Sequence, residues 1–146
     1  MIALVQRVAH AHVVVAGKTV GSIDRGLLVM VCAEPDDDEA VAARLVAKLL
    51  KLRIFADEAG KMNRSVQDVA GGLLVVSQFT LAAHTSGGNR PSFTAVAPPA
   101  LGRALYDRVL ALARDAHAQV AAGKFGADMQ VHLVNDGPVT ISVRIA

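Results

Sequence analysis

Residues 26–33 read GLLVMVCA, an uncharged run that opens on its only turn-former. Apolar residues at every position, with no alternation, suit a strand covered on both faces, so this segment is expected at the centre of a sheet. On its amino-terminal side, residues 2–8 (IALVQRV) and 11–16 (AHVVVA) are β-rich, and KTVGSID at 18–24 follows a turn at Gly17-Lys18. Together they predict a meander of short antiparallel strands. On its carboxyl side, Asp36, Asp37 and Asp38 precede Val41, Leu45, Leu49 and Leu52 at helical spacing, with Arg44, Lys48 and Lys51 on the other face. That is an amphipathic helix whose acids complement the positive end of its dipole, and the same acids could otherwise be read as metal ligands.

Beyond LRIFAD at 52–57, the DEAGKMN segment carries turn residues, and LLVVSQFTL at 73–81 reads as a second buried strand after Gly71-Gly72. Residues 82–99, with Gly87, Gly88, Pro91, Pro98 and Pro99, predict a long loop of the kind that often carries function. Pro98-Pro99 introduces a helix over about residues 100–121, with Leu101, Leu105, Val109, Leu112, Ala116 and Val120 on one stripe. GKFGADMQVHLVNDG and PVTISVRI then predict two closing strands. Strands in runs, interrupted by two helices, predict an α+β fold with mainly antiparallel sheet layers and both helices packed on one side. The sheet face left bare needs cover, and a second copy of the chain supplies it, so a homodimer is expected.

The 146 residues, 53% hydrophobic and without a composition shift, fit a single domain over 1–146. Arg7 interrupts the first apolar run and no stretch reaches the length of a membrane span, so a cytoplasmic protein with no membrane partner is expected. Nine basic residues balance nine acidic ones over 1–73, and six face four over 74–146. Charge therefore permits a polyanionic partner without arguing for one. Aromatic residues at 3%, with no tryptophan, disfavour stacking platforms for single-stranded nucleic acid.

His10 and His12 lie on one strand face, but no further ligand at metal spacing accompanies them, so they are read as structural and no metal is expected. Gly87-Gly88-Asn89 is no phosphate loop, and no nucleotide cofactor is expected. Ser77 lacks the flanking glycines of a nucleophile elbow, and Cys32 in its apolar run reads as a buried hydrophobe. SQFTL, however, places two hydroxyls and an amide where a buried strand meets the long loop. Such hydroxyls serve as hydrogen-bond donors, nucleophiles or turn caps, and with no assigned base the nucleophile ranks last.

SQFTL at 77–81, RPSF at 90–93, FGADM at 125–129 and NDGPVT at 135–140, with LVQRV at 4–8 and LRIFAD at 52–57, resemble the D-aminoacyl-tRNA deacylases in order and spacing along essentially the whole chain. The resemblance implies a cytoplasmic homodimer that hydrolyses the ester joining a D-amino acid to the 3′-terminal adenosine of tRNA. It implies that Gly137-Pro138 is a cis peptide inserted from one subunit into the active site of the other. Ser77, Gln78, Phe79 and Thr80 would line that site, Arg7 would hold the Gly-Pro loop, and Phe125 and Met129 would supply apolar wall. A backbone oxygen pressed against one position on the substrate Cα would tolerate hydrogen and reject carbon, which admits every D-residue and also glycine. Thr80 is either a nucleophile or a positioning group. His84 could serve as its base but reads as a loop residue, and the preferred route has the ribose 2′-hydroxyl helping water to attack while amides near Phe79 and Thr80 stabilise the oxyanion.

The chain departs from the family pattern at Ala82, where an aromatic is usual, and at Thr85-Ser86-Gly87-Gly88-Asn89, which replaces a Lys-Lys pair and leaves Arg64, Arg90 and Lys124 as alternative cations. Two other classes compete: a non-catalytic RNA-binding dimer, and a general esterase using Ser77 or Cys32.

Overall fold

The computed structural model describes residues 1–146. Strand β1 (Ile2–Val15) turns through Ala16-Gly17 into β2 (Lys18–Ile23), and β3 (Gly26–Cys32) follows. Helix α1 (Glu39–Lys51), a small hairpin of β4 (Phe55–Ala56) and β5 (Met62–Arg64), and β6 (Gly72–Ser77) come next. One turn of 3₁₀-helix (Phe79–Ala82), helix α2 (Pro99–Ala116), β7 (Val120–Ala122) and β8 (Gln130–Arg144) complete the chain. No helix is long and apolar enough to cross a membrane.

The main sheet runs β2-β1-β3-β6-β7, with β8 pairing β1. Its antiparallel part is built round β1, but β3, β6 and β7 are parallel. The expected mainly antiparallel sheet is therefore mixed, and its parallel half consists of two crossover units, β3-α1-β6 and β6-α2-β7. Right-handed crossovers that step the same way across a sheet leave their helices on the same face. Both helices indeed share one core with Val5, Val29 and Val75.

Four expected boundaries move. The two first strands are one, because β1 carries its ladder past Ala9-His10 by changing partner, β3 pairing Ile2–Val8 and β2 pairing Ala11–Val15. The turn falls one residue earlier than expected, with Ala16 at φ 49° and Gly17 at φ 77°. The second helix stops at Ala116, where His117 turns extended and frees 120–122 to join the sheet. The strand read over 73–81 also ends at Ser77, and Phe79–Ala82 coil into the 3₁₀ turn.

Helix α1 starts where the acidic run predicts, with Asp38 accepting from the Val41 amide at 2.9 Å. Its Leu45 and Leu49 are fully buried, each contributing about 1.5–3 kcal/mol relative to exposure. Asp37, by contrast, pairs with the Met1 ammonium at 2.8 Å. A second, smaller core on the other sheet face gathers Val8, Val13, Ile23, Leu28, Leu74 and Val76. There β2 lies so close to β7 that the Ala122 backbone leaves Gly21 no room for a side chain.

Candidate active site

A cleft of about 490 Å³ opens where parallel β3 and β6 end, beneath the start of α2. Ligands of open parallel sheets bind beyond the carboxyl ends of the strands, because the chain there leaves the sheet and its side chains and amides are free to converge. Val31, Cys32 and Ala33 from β3 and its exit form one wall, Ser77, Gln78 and Phe79 another, and Gly102, Tyr106 and Phe125 a third. No residue lining it carries a charged side chain. The rim is aromatic: Phe79 (56% exposed) and Phe93 (40% exposed) meet edge to face with centroids 5.2 Å apart.

The floor is held by backbone and buried hydroxyl bonds. The Gln78 amide donates to Val31 O at 2.8 Å, which ties the 3₁₀ turn to the end of β3. The Tyr106 hydroxyl donates to Val75 O at 2.8 Å, and burial pushes its pKa up to about 12, so it stays a neutral donor. The Phe79 and Thr80 amides, first in their turn, have no acceptor within it. The Gln78 side-chain amide donates to the Thr80 hydroxyl.

Of the residues expected in the site, Ser77, Gln78, Phe79 and Phe125 share this cleft. Thr80 is exposed on the turn beside it, and Met129 packs against the second core, with its sulfur 3.4 Å from the Lys124 amide. His84 exchanges two 2.8 Å backbone bonds with Ser92 and closes the loop without lining the cleft. His10 is exposed on its strand, while His12 stacks on His132 across β1 and β8, and no three His, Cys, Asp or Glu side chains gather as a metal site would require.

Gly137-Pro138 is cis and lies elsewhere. Between Gln6 and Val8 of β1 only Arg7 intervenes, whereas on β8 their partners Thr140 and Asn135 are separated by Asp136, Gly137, Pro138 and Val139. These four residues bulge out of the ladder, so the two closing strands expected from sequence are one strand with an excursion. Arg7 clamps the excursion, its Nε donating to Asp136 O at 3.1 Å and Nη1 to Ile54 O at 2.7 Å. Asn135 Nδ2 spans its base, 3.0 Å from both Arg7 O and Val139 O. Along β1 and β3 the Arg7–Leu27 pair is five residues from the Ile2–Cys32 pair, so the excursion lies about 17 Å along the strands from the cleft of its own chain.

Sequence reasoning missed Asn135, Phe93, Gly102 and Tyr106 as site residues. Asn135 and Phe93 sit inside quoted motifs, while Tyr106 is the chain's single tyrosine, set in an otherwise aliphatic helix stripe. Cys32 turns out to line the cleft, its sulfur 3.4 Å from Phe79 O, with burial raising its thiol above the usual range. A raised thiol holds less thiolate at any pH than a free cysteine. Iodoacetamide is therefore expected to leave the folded protein unlabelled up to about pH 8.5 and to label it once unfolded. Rapid labelling at neutral pH with loss of activity would instead mark Cys32 as a nucleophile.

No charged side chain lines the cleft at the parallel strand ends, the Phe79 and Thr80 amides have no acceptor within their turn beside it, and the clamped backbone excursion lies elsewhere on the surface. A model of the D-Tyr-tRNA(Tyr) deacylase family matches residues 4–144. The D-aminoacyl-tRNA deacylases of Variovorax paradoxus (strain S110) and Polaromonas naphthalenivorans (strain CJ2) are 69% and 68% identical, covering all of this chain and 100% and 98% of theirs. Among solved structures, the c-Myc DNA Unwinding Element Binding Protein superposes with TM-score 0.94 at 40% identity over 99% of this chain and 98% of its own. A probable eukaryotic D-amino acid tRNA deacylase shares the fold at TM-score 0.83 and 19% identity, over 97% and 98% of the two chains. The chain belongs to the D-Tyr-tRNA(Tyr) deacylase family.

Proposed function

We propose that the protein hydrolyses the ester of D-aminoacyl-tRNA, releasing the D-amino acid and tRNA in chirality proofreading, from a site shared between two subunits of a homodimer. The observation that carries this reading is the position of the excursion, exposed, clamped by Arg7 and about 17 Å from its own cleft. Such a loop is of use to a cleft only if that cleft belongs to another copy. Inserted there, Gly137-Pro138 sets main-chain atoms beside the substrate Cα. A fixed oxygen at the position where an L-residue carries its β-carbon leaves room for hydrogen alone, whatever the D side chain. A thousandfold preference needs about 4 kcal/mol, well within what a forced carbon–oxygen overlap costs.

The chemistry then asks little of side chains. The terminal adenosine rests against Phe125, and the Phe79 and Thr80 amides receive the developing oxyanion, a donor of this kind contributing about 10²–10³ in rate. The ribose 2′-hydroxyl helps water to attack, and Thr80, already engaged by Gln78, positions the substrate. No resident cofactor enters the scheme. Side-by-side hydrolysis of D-tyrosyl-, L-tyrosyl- and glycyl-tRNA tests it. Loss of the D and glycyl esters with the L ester intact is expected. Loss of D and L alike would refute the filter, and binding without hydrolysis of any would assign the protein to nucleic-acid binding, the property in the name of its 40%-identical structural relative.

A further inference from the structure

We infer that Arg103 contacts the phosphodiester just outside the cleft, and so takes up the backbone of the substrate's 3′ end; the inference rests on the function proposed above. Its neighbour Gly102 lines the cleft, and its guanidinium carbon stands 5.6 Å from the centroid of Phe125, a ring that lines the cleft as well. Because no residue lining the cleft has a charged side chain, a terminal nucleoside can enter it, but the phosphate linking that nucleoside to the rest of the strand must be met at the rim.

The charge of Arg103 is available for this. Its acidic partner, Asp107, lies 3.9 Å away, and the two side chains are 64% and 60% exposed. An exposed i,i+4 pair of that length contributes only tenths of a kcal/mol. Arg7 and Arg64, by comparison, are held by Asp136 and Glu58. The Phe125 face orients the guanidinium plane, and a planar fork matches two phosphate oxygens where a bare ammonium would meet them as a point charge. Lys124, exposed and next to Phe125 in sequence, is a second cation of this segment. The rim is thus cationic beside Phe125, although residues 85–89 of the long loop carry no charge.

The test is a salt series for binding of tRNA carrying D-tyrosine through a non-hydrolysable 3′-amide, with hydrolysis of the phosphate-free ester D-tyrosyl-adenosine as second readout. Arg103→Gln is expected to lower the slope of log K against log salt by about 0.7–1, one phosphate's worth, and to leave the adenosine ester unaffected. Arg103→Lys should restore the slope. Arg108→Gln, which removes an equal charge from the same helix where Glu39 lies 3.7 Å away, should leave it unchanged. An unchanged slope in Arg103→Gln with tRNA still bound by the wild type would overturn the inference, as would equal losses on both substrates, which would mean that Arg103 acts only through Phe125. Failure of the wild type itself to bind the tRNA would bring down the proposed function, and this assignment with it.

Discussion

Gly137→Ala is expected to lower kcat/KM on D-tyrosyl-tRNA by about 10²-fold and to erode the preference for D over L, while leaving the folded state intact. Gly137 sits at φ +124°, where side chains are strained by about 1–3 kcal/mol. An added β-carbon would lie 2.7 Å from Arg7 Nη2 and 3.0 Å from Val139 Cγ2. Arg7 cannot simply swing aside, because its bonds to Asp136 O and Ile54 O are what hold the excursion. The loop must shift instead, and a displacement near 1 Å in a positioning group costs on the order of 10²-fold. Thr80→Ala removes the contact with Gln78 and one positioning hydroxyl but leaves the excursion in place, and should lower the rate less. Single-turnover kinetics of both variants on D and L esters decide the matter, and an unaltered D-over-L preference in Gly137→Ala would remove the excursion from the filter.

Mixing two inactive variants should restore activity. Gly102→Trp would fill the cleft from α2, where an added β-carbon meets only Phe125, at 3.8 Å, so the cleft is blocked with the fold retained. Gly137→Ala keeps the cleft and spoils the excursion. In a two-fold dimer with a site shared across the interface, the mixed dimer holds one site with an intact cleft facing an intact loop. The purified mixed dimer then shows about half of wild-type activity, and a randomly paired population about a quarter, although neither parent has appreciable activity alone. Co-expression with distinct affinity tags and purification of the mixed species gives the readout. Recovery no greater than the sum of the parents would mean that excursion and cleft act within one chain, or not together.

Elements whose residues all face one environment were legible in sequence. Helix α1 was marked by Asp38 and by its leucine spacing, and β3 and β6 by uninterrupted apolar runs. The parallel pairing of β3 and β6 was implicit in those same runs, since a strand buried on both faces and followed by a helix is what a crossover produces. The preceding meander outweighed it. The continuity of β1 and β8 was hidden for another reason. Ala9-His10 and Asp136–Val139 break the local pattern, yet each strand resumes because pairing across the sheet restores it, and no window along one strand can see its partner. The site divided the same way. The cleft residues of SQFT follow a buried strand and could be placed, whereas Arg7, named only through the resemblance, and Asn135, missed, act through contacts 129 and 128 positions apart in the chain.

The excursion is also a matter of dimensional tolerance. It leaves and rejoins a single strand whose flanks are anchored in different cores, Val131 and Leu133 on one side and Ile141 and Val143 on the other. Adding or deleting one residue between Thr140 and Arg144 would turn every following side chain to the opposite face of the sheet. Insertions and deletions in the flanking strand are therefore penalised first as defects of the core, whereas those within Asp136–Val139 lie outside the ladder. The packing of the whole molecule thus fixes where the base of the loop sits, and only the four residues of the excursion are left to set its reach.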